Sequence, residues 1–388
     1  MKKNILLFIF ITGFINNTYS DFLIKPYGSV DFSSGTLFNN EDEKKNDKQN
    51  FVFFSKATLG INGKYQFDNK NTAGISCNLK TTALTSKSLW SYIYLSSDIG
   101  RFEFGSQKDA GKKMQIESSN LAKSKSWKFF APLQSQKNRN EAFITNTEVF
   151  DKRSIIYKPG LKISYFTPKI LDKIQFGISY IPDSPNTGYG PVNKKNPSKY
   201  NYFMDDGSVA TIDTSIKHAI SYGVSFEHNI SDGVDLKLAF NGIYGKPSKE
   251  AIIKNKDKSK KQKVEVSNLN SYNFGTIITN GAFAYVISFG SFNKSFTSEL
   301  IQGKDRDSYW LGLGTSYDQG PVGAAINYYK SNDHGNELTL KSFSTSYQIA
   351  RGLKSYFEIS LFNKKSANKP KEKRDDGTVL VLGMKVSF

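Results

Sequence analysis

The chain has 388 residues but only one cysteine, Cys77, and three histidines, His218, His228 and His334. A single cysteine excludes an intramolecular disulfide framework. Together these four side chains form no metal-ligand cluster at a recognised spacing, so neither zinc nor thiol chemistry is indicated and no cofactor is expected. No histidine sits in a hydrolase motif beside a nucleophile, which argues against an enzyme. Long apolar runs are also missing. After Ser20 no stretch approaches the roughly 20 residues that a membrane-spanning helix requires, and the mean hydropathy is −0.47.

One short apolar run stands at the start. Lys2 and Lys3 precede Ile5 to Ile15, followed by the polar stretch Asn16 to Ser20. This is the pattern of a secretory signal peptide over residues 1–20, with Thr18 and Ser20 at the small-residue cleavage positions and a mature N-terminus at Asp21. At about eleven residues the run is too short for a helical anchor. Export by the Sec route is the expectation.

What the chain does have is aromatic residues and turns, with 30 Phe, 21 Tyr and 30 Gly against 11 Pro. It also has period-two alternation. In Val234 to Tyr244, residues Val234, Leu236, Leu238, Phe240 and Tyr244 take one face, and Asp235, Lys237, Ala239 and Asn241 the other. One face suits lipid and the other water. Sixteen such segments are predicted, at 22–32, 52–66, 72–81, 88–97, 101–107, 154–167, 173–182, 218–229, 234–245, 269–279, 281–291, 308–317, 321–330, 337–349, 353–363 and 378–388. Tight turns rich in Gly, Asp and Asn, such as ISDG (230–233), TNG (279–281) and DQGP (318–321), alternate with mostly longer polar connections. The longer connections are 33–51, 82–87, 108–153, 183–217, 246–268, 292–307, 331–336 and 364–377. Short turns at one rim and long loops at the other are the habit of outer-membrane barrels, whose strands need only about ten residues each. The expected fold is therefore all-β: one transmembrane antiparallel up-and-down β-barrel of about 16 strands over residues 21–388.

The last segment, VLVLGMKVSF (379–388), places Leu380, Leu382, Met384, Val386 and Phe388 on one face, and Gly383, Lys385 and Ser387 on the other. It resembles the terminal signal, ending on Phe388, that the outer-membrane barrel assembly machinery reads. IKPYGSVDFSSG (24–35) resembles the first strand of general Gram-negative porins. SYIYLSSDIGRFEFGSQ (91–107) is similar to that family's fourth hairpin, an aromatic-rich strand that turns through Asp98-Ile99-Gly100 and returns. SYFTPKILDKIQFGISYIPD (164–183) is similar to the hairpin after the constriction loop, particularly in porins of alpha-proteobacterial type. The resemblance implies a homotrimer of sixteen-stranded barrels in the cell outer membrane. Each barrel would be a water-filled diffusion channel with its third external loop, here 108–153, folded inward. Two positions depart from the pattern: Ser106 stands where the family usually has Arg, and the second long connection, 82–87, is short.

Charge adds a sign. Without Lys2 and Lys3 the full chain's +18 becomes +16, and residues 246–268 alone carry eight lysines. Segment 108–153 holds ten basic residues against five acidic ones. Nucleic-acid binding is not expected, because the lysines lie in loops without aromatic platforms for stacked bases. Rings of Lys or Arg along a pore favour anions. Parity puts Lys25, Lys56, Arg101 and Lys237 on the lumen face, with Asp31, Glu103 and Glu227 as counter-charges. The loop adds Lys123, Lys125, Lys128 and Arg139. The expected function is passive diffusion of small hydrophilic solutes and ions with mild anion preference. A barrel serving chiefly as an adhesin or surface interaction protein is the alternative.

Overall fold

The computed structural model describes residues 22–39, 51–67, 71–82, 85–124, 160–183, 199–204, 208–213, 215–254, 261–302, 307–333, 335–365 and 375–388. Residues 1–20, Lys125, Lys128 and Arg139 lie outside them. The first strands are β1 (Phe22–Asn39), β2 (Phe51–Gln66), β3 (Thr72–Thr82), β4 (Thr85–Ser97), β5 (Gly100–Gln107), β6 (Gly160–Phe166) and β7 (Ile174–Asp183). Next come two short strands, β8 (Lys199–Phe203) and β9 (Val209–Asp213), then β10 (Ile216–Ser231) and β11 (Val234–Pro247). A second short pair follows, β12 (Ala251–Lys254) and β13 (Lys261–Val264). The chain ends with β14 (Leu269–Asn280), β15 (Phe283–Asn293), β16 (Ser308–Gln319), β17 (Val322–Asp333), β18 (Asn336–Ala350), β19 (Leu353–Lys365) and β20 (Asp375–Ser387).

Sixteen of these strands, all but β8, β9, β12 and β13, form one closed antiparallel barrel in chain order. The ring is closed by β1 against β20, from Ser29↔Ser387 to Asn39↔Gly377. Reciprocal backbone bonds of 3.1 Å between Gly28 and Phe388 finish the seam. The sixteen segments expected from alternation are all found, and several run further than the pattern indicated. β1 reaches Asn39 rather than 32, because it keeps its partners on β20 along that whole length.

The alternation has its expected cause. Ile93, Ile178, Ile326 and Leu382 point outward and are half or more exposed, while Ser164, Ser179, Ser221, Asn241, Ser288 and Ser344 point inward. Outward aromatics pair near both rims. Tyr65–Phe67 and Phe283–Tyr317 lie near the short turns, and Phe51–Phe53 lies near the long connections. Such girdles suit the two interfaces of a bilayer. The tight turns need left-handed backbone, which Gly233 (φ 78°) and Gly320 (φ 55°) supply without a Cβ clash. In the KILD turn Leu171 and Asp172 take that conformation instead.

One element was not anticipated. The connections expected at 183–217 and 246–268 contribute β8, β9, β12 and β13 to a separate four-stranded antiparallel sheet, ordered β13–β12–β9–β8. Its strands of four or five residues are too short for a period-two pattern to declare itself. Its central pair, β9 with β12, joins residues about 40 apart, as in Ala210↔Ile253.

The outward face can be tested on β20. Leu382→Arg is expected to cost about 2–4 kcal/mol in denaturant-driven refolding into lipid vesicles, the penalty for a cation near the bilayer midplane. Lys385→Ser, on the lumen face of the same strand, is expected to stay within about 1 kcal/mol. Equal small costs at both positions would show that this face does not meet lipid.

Candidate functional site

The lumen wall is lined by residues Lys108–Ser124, which leave the end of β5 and turn inward instead of passing over the rim. The turn is fixed by Asp109. Its Oδ1 accepts from the Lys112 amide at 3.0 Å, capping α1 (Ala110–Met114). The same oxygen accepts from Ser221 Oγ at 2.5 Å. The amide of Ala110 donates to Ser179 Oγ at 2.7 Å, and that of Gly111 to Ser221 Oγ at 3.0 Å. The first amides of a helix have no partner within it; here wall serines on β7 and β10 supply them. Fully buried, such unpaired amides would be costly.

The segment then runs around the wall. Ile116 and Leu121 pack against Ala239, Val286 and Ala325 of β11, β15 and β17. The amide of Ser118 donates to Ser288 Oγ on β15 at 3.4 Å, and that of Lys123 to Ser344 Oγ on β18 at 3.0 Å. Small wall residues make the close approach possible. A Cβ on Gly275 would lie 2.5 Å from the Ile116 carbonyl oxygen, and one on Gly312 2.4 Å from Ser118 Oγ. Either addition would force the segment off its seat.

Charge is concentrated where the segment begins. Glu103 on β5 is 2% exposed and holds two cations, Arg101 Nε at 2.8 Å and the Lys113 ammonium. Lys113 also donates to Gln107 Oε1 at 2.7 Å and lies over the rings of Tyr92 and Phe166. The Arg101 guanidinium lies 3.7 Å from the centre of the Tyr94 ring. Burial pulls the Lys113 ammonium below the ordinary lysine range, with Glu103 acting against that pull. Nearby, Lys162 on β6 is 3% exposed and donates to the Gln107 carbonyl at 2.9 Å. At the far end, Lys123 bonds both oxygens of Asp318, at 2.5 and 2.6 Å.

The residues singled out from sequence fall into three groups. Arg101 and Lys237 sit on the lumen face, each tied to a carboxylate: Arg101 to Glu103, and Lys237 to Glu227 at 2.6 Å. Lys25 and Lys56 lie on the lumen face of β1 and β2, Lys56 in register with Asp31 and Lys25 with Asn62. Lys123 belongs to the inward segment. A fourth feature was missed: Lys354↔Lys385, Lys385↔Asp31 and Asp31↔Lys56 form one lumen-facing row across β19, β20, β1 and β2. Tyr356 donates to Asp31 in the same row, at 2.5 Å. The wall serines were missed as well. Their signal was serine at alternate positions, as in Ser342, Ser344 and Ser346 of β18. Among the described residues no cluster of His, Cys, Asp and Glu is arranged to hold a metal ion.

A family model described as Gram-negative porin matches residues 24–367 of this chain. An uncharacterized protein of Rickettsia prowazekii is 30% identical, with 97% of this chain and 95% of that protein covered. One from Rickettsia conorii is 31% identical over 77% of this chain and 76% of its own length. Among solved structures, an anion-selective porin from Comamonas acidovorans superposes with a TM-score of 0.59 at 11% identity, covering 95% of this chain and all of that one. A mutant of the Rh. blastica porin gives 0.54 at 12% identity, covering 94% of this chain and all of its own. At such identities the structural likeness concerns the fold.

Removal of the Asp109 side chain is expected to loosen the start of the inward segment. Asp109→Ala should cost about 1 kcal/mol locally, read as roughly fivefold faster amide exchange at Gly111 and Lys112. Unchanged exchange at both amides would mean that the wall serines alone hold the segment.

Proposed function

The chain belongs to the Gram-negative porin family, and from that premise we propose that it is a diffusion channel for small hydrophilic solutes and ions with a mild preference for anions. The observation that carries the sign is the row Lys354, Lys385, Asp31 and Lys56, in which three lysines stand in register with one carboxylate on the lumen wall. Cationic linings raise the local concentration of anions and lower their barrier to entry. The preference is mild because Arg101, Lys237 and Lys123 each have a carboxylate partner. A neighbour in fold is described as an anion-selective porin, so the architecture is compatible with that sign.

In this reading residues 1–20 direct export and are removed before Asp21. The short-turn rim faces the periplasm and the long connections face outward, as in other outer-membrane barrels. Lys108–Ser124, lying along the wall, narrows the lumen; the rest of the expected loop, 125–153, lies outside the described residues. The outer face meets outer-membrane lipid or other copies in a homotrimer, and Phe388 at the seam is the residue that the barrel assembly machinery reads. Such a channel makes and breaks no bonds. Solutes move down their gradients, sorted by size first and wall charge second.

Planar-bilayer recordings of the refolded protein in a salt gradient test this. The expected result is stepwise conductance with a reversal potential of anion sign, and entry of small sugars into liposomes. Replacing Lys56, Lys354 and Lys385 together with Gln is expected to remove most of the preference while leaving conductance within about twofold. Raising pH should weaken the preference earlier than ordinary lysines would titrate, since Glu103 holds two cations and Lys113, the surplus one, holds its proton less tightly. A clear cation preference would overturn the sign. Neither current nor sugar entry would leave a surface interaction protein as the better reading.

A further inference from the structure

The lumen wall changes character along its height. Above the serines that seat the inward segment, toward the long connections, the inward positions turn apolar. Ile181 follows Ser179 on the lumen face of β7, Ile243 follows Asn241 on β11, and Leu269 precedes Ser271 on β14. Trp310, Leu340 and Val381 continue the series on β16, β18 and β20. In a wall bathed by water these side chains would be exposed, yet none of the six exceeds 6% exposure. An aqueous channel gains nothing from an apolar ring around its lumen. A ring of this kind acts as a barrier, since water and ions desert an apolar constriction.

The buried face of the separate four-stranded sheet belongs to the same apolar cluster as this ring. Ala210 and Ile212 of β9 and Ala251 and Ile253 of β12 face one way and are buried. In-register Thr211 and Ile252 face the other way and are partly exposed. The buried set, with Val264 of β13, forms one continuous apolar cluster with all six wall residues. At the sheet's margin Lys249 reaches Asp213 at 3.4 Å and Lys263 reaches Glu250 at 3.5 Å, and both lysines are well exposed. The sheet is therefore amphipathic, apolar toward the lumen wall and basic at its edge.

Resting on the channel reading above, we propose that this sheet is a lid, seated on an apolar collar, that closes the outer tier of the lumen. Conductance is then set by how often the lid leaves its seat, and the lysine row selects only among solutes that have passed it. The contact is hydrophobic rather than covalent, so the lid releases without chemical change.

The test compares the native refolded protein with Ile212→Asn/Ile253→Asn in planar bilayers, with strand content confirmed by circular dichroism. The expected outcome is a several-fold larger mean current in the double variant. The conservative pair Ile212→Leu/Ile253→Leu should stay near the native value. Native current in a folded asparagine variant overturns the lid and leaves the channel standing. Absence of current in every protein overturns both. Labelling gives an answer that does not depend on the asparagine variant folding. In a Cys77→Ser background, Ile253→Cys should react with an impermeant maleimide at least about tenfold more slowly than Lys263→Cys at the exposed edge. Equal rates would show that the sheet is not seated.

Discussion

Everything in this molecule depends on the seam between β1 and β20. In a bilayer an unpaired strand edge leaves amides and carbonyls with no partner at a cost of several kcal/mol each, so a sheet survives there only if it closes. The pairing from Ser29↔Ser387 to Asn39↔Gly377, finished by Gly28 and Phe388, removes the last free edge. Once the ring is closed, each strand has one face to lipid and one to the lumen. The chemistry of every residue then follows from its parity. Ile178 and Ser179 are neighbours in sequence and yet belong to different solvents.

Closure also creates an interior that has to be managed. The inward segment Lys108–Ser124 brings otherwise unpaired amides and two buried carboxylates, Asp109 and Glu117, against the wall. The wall answers with hydroxyls and with missing side chains. Ser179, Ser221, Ser288 and Ser344 receive the amides, and Gly275 and Gly312 leave room for the backbone. Serine suits this role because its hydroxyl both accepts and donates. Ser221 accepts from the Gly111 amide while donating to Asp109.

The barrel was legible in sequence because its signal is local and repeated. Val234 to Tyr244 announces its two faces within eleven residues, and the rhythm of short turns and longer connections repeats the message across the chain. The lumen was legible only by parity. Parity puts Lys25, Lys56, Arg101 and Lys237 inside without saying whom they meet, as Arg101 meets Glu103 and Lys237 meets Glu227. What could not be read were pairings between distant residues. The Lys354–Lys385–Asp31–Lys56 row spans the seam, so its members lie at opposite ends of the chain. The lid sheet joins β9 to β12 across two barrel strands, with four or five residues in each strand. Such short strands carry too few alternations to stand out from a polar connection.

The same distances decide where charge is placed along the lumen. Along Lys108–Ser124 the wall is covered from β7 to β18, and the cations at its two ends, Lys113 and Lys123, are bound to Glu103 and Asp318. An ion pair presents a weak field to a passing solute, because the partner's field cancels most of it at distances of several ångströms. The wall beyond β18 carries the row with three lysines to one carboxylate, and that carboxylate is further engaged by Tyr356. In the proposed channel this row on β19, β20, β1 and β2 is the stretch of wall that favours anions. At the start of the inward segment Glu103 holds two cations and at its far end Asp318 holds one, so in the proposed channel the segment narrows the passage and the seam row adds to its positive sign.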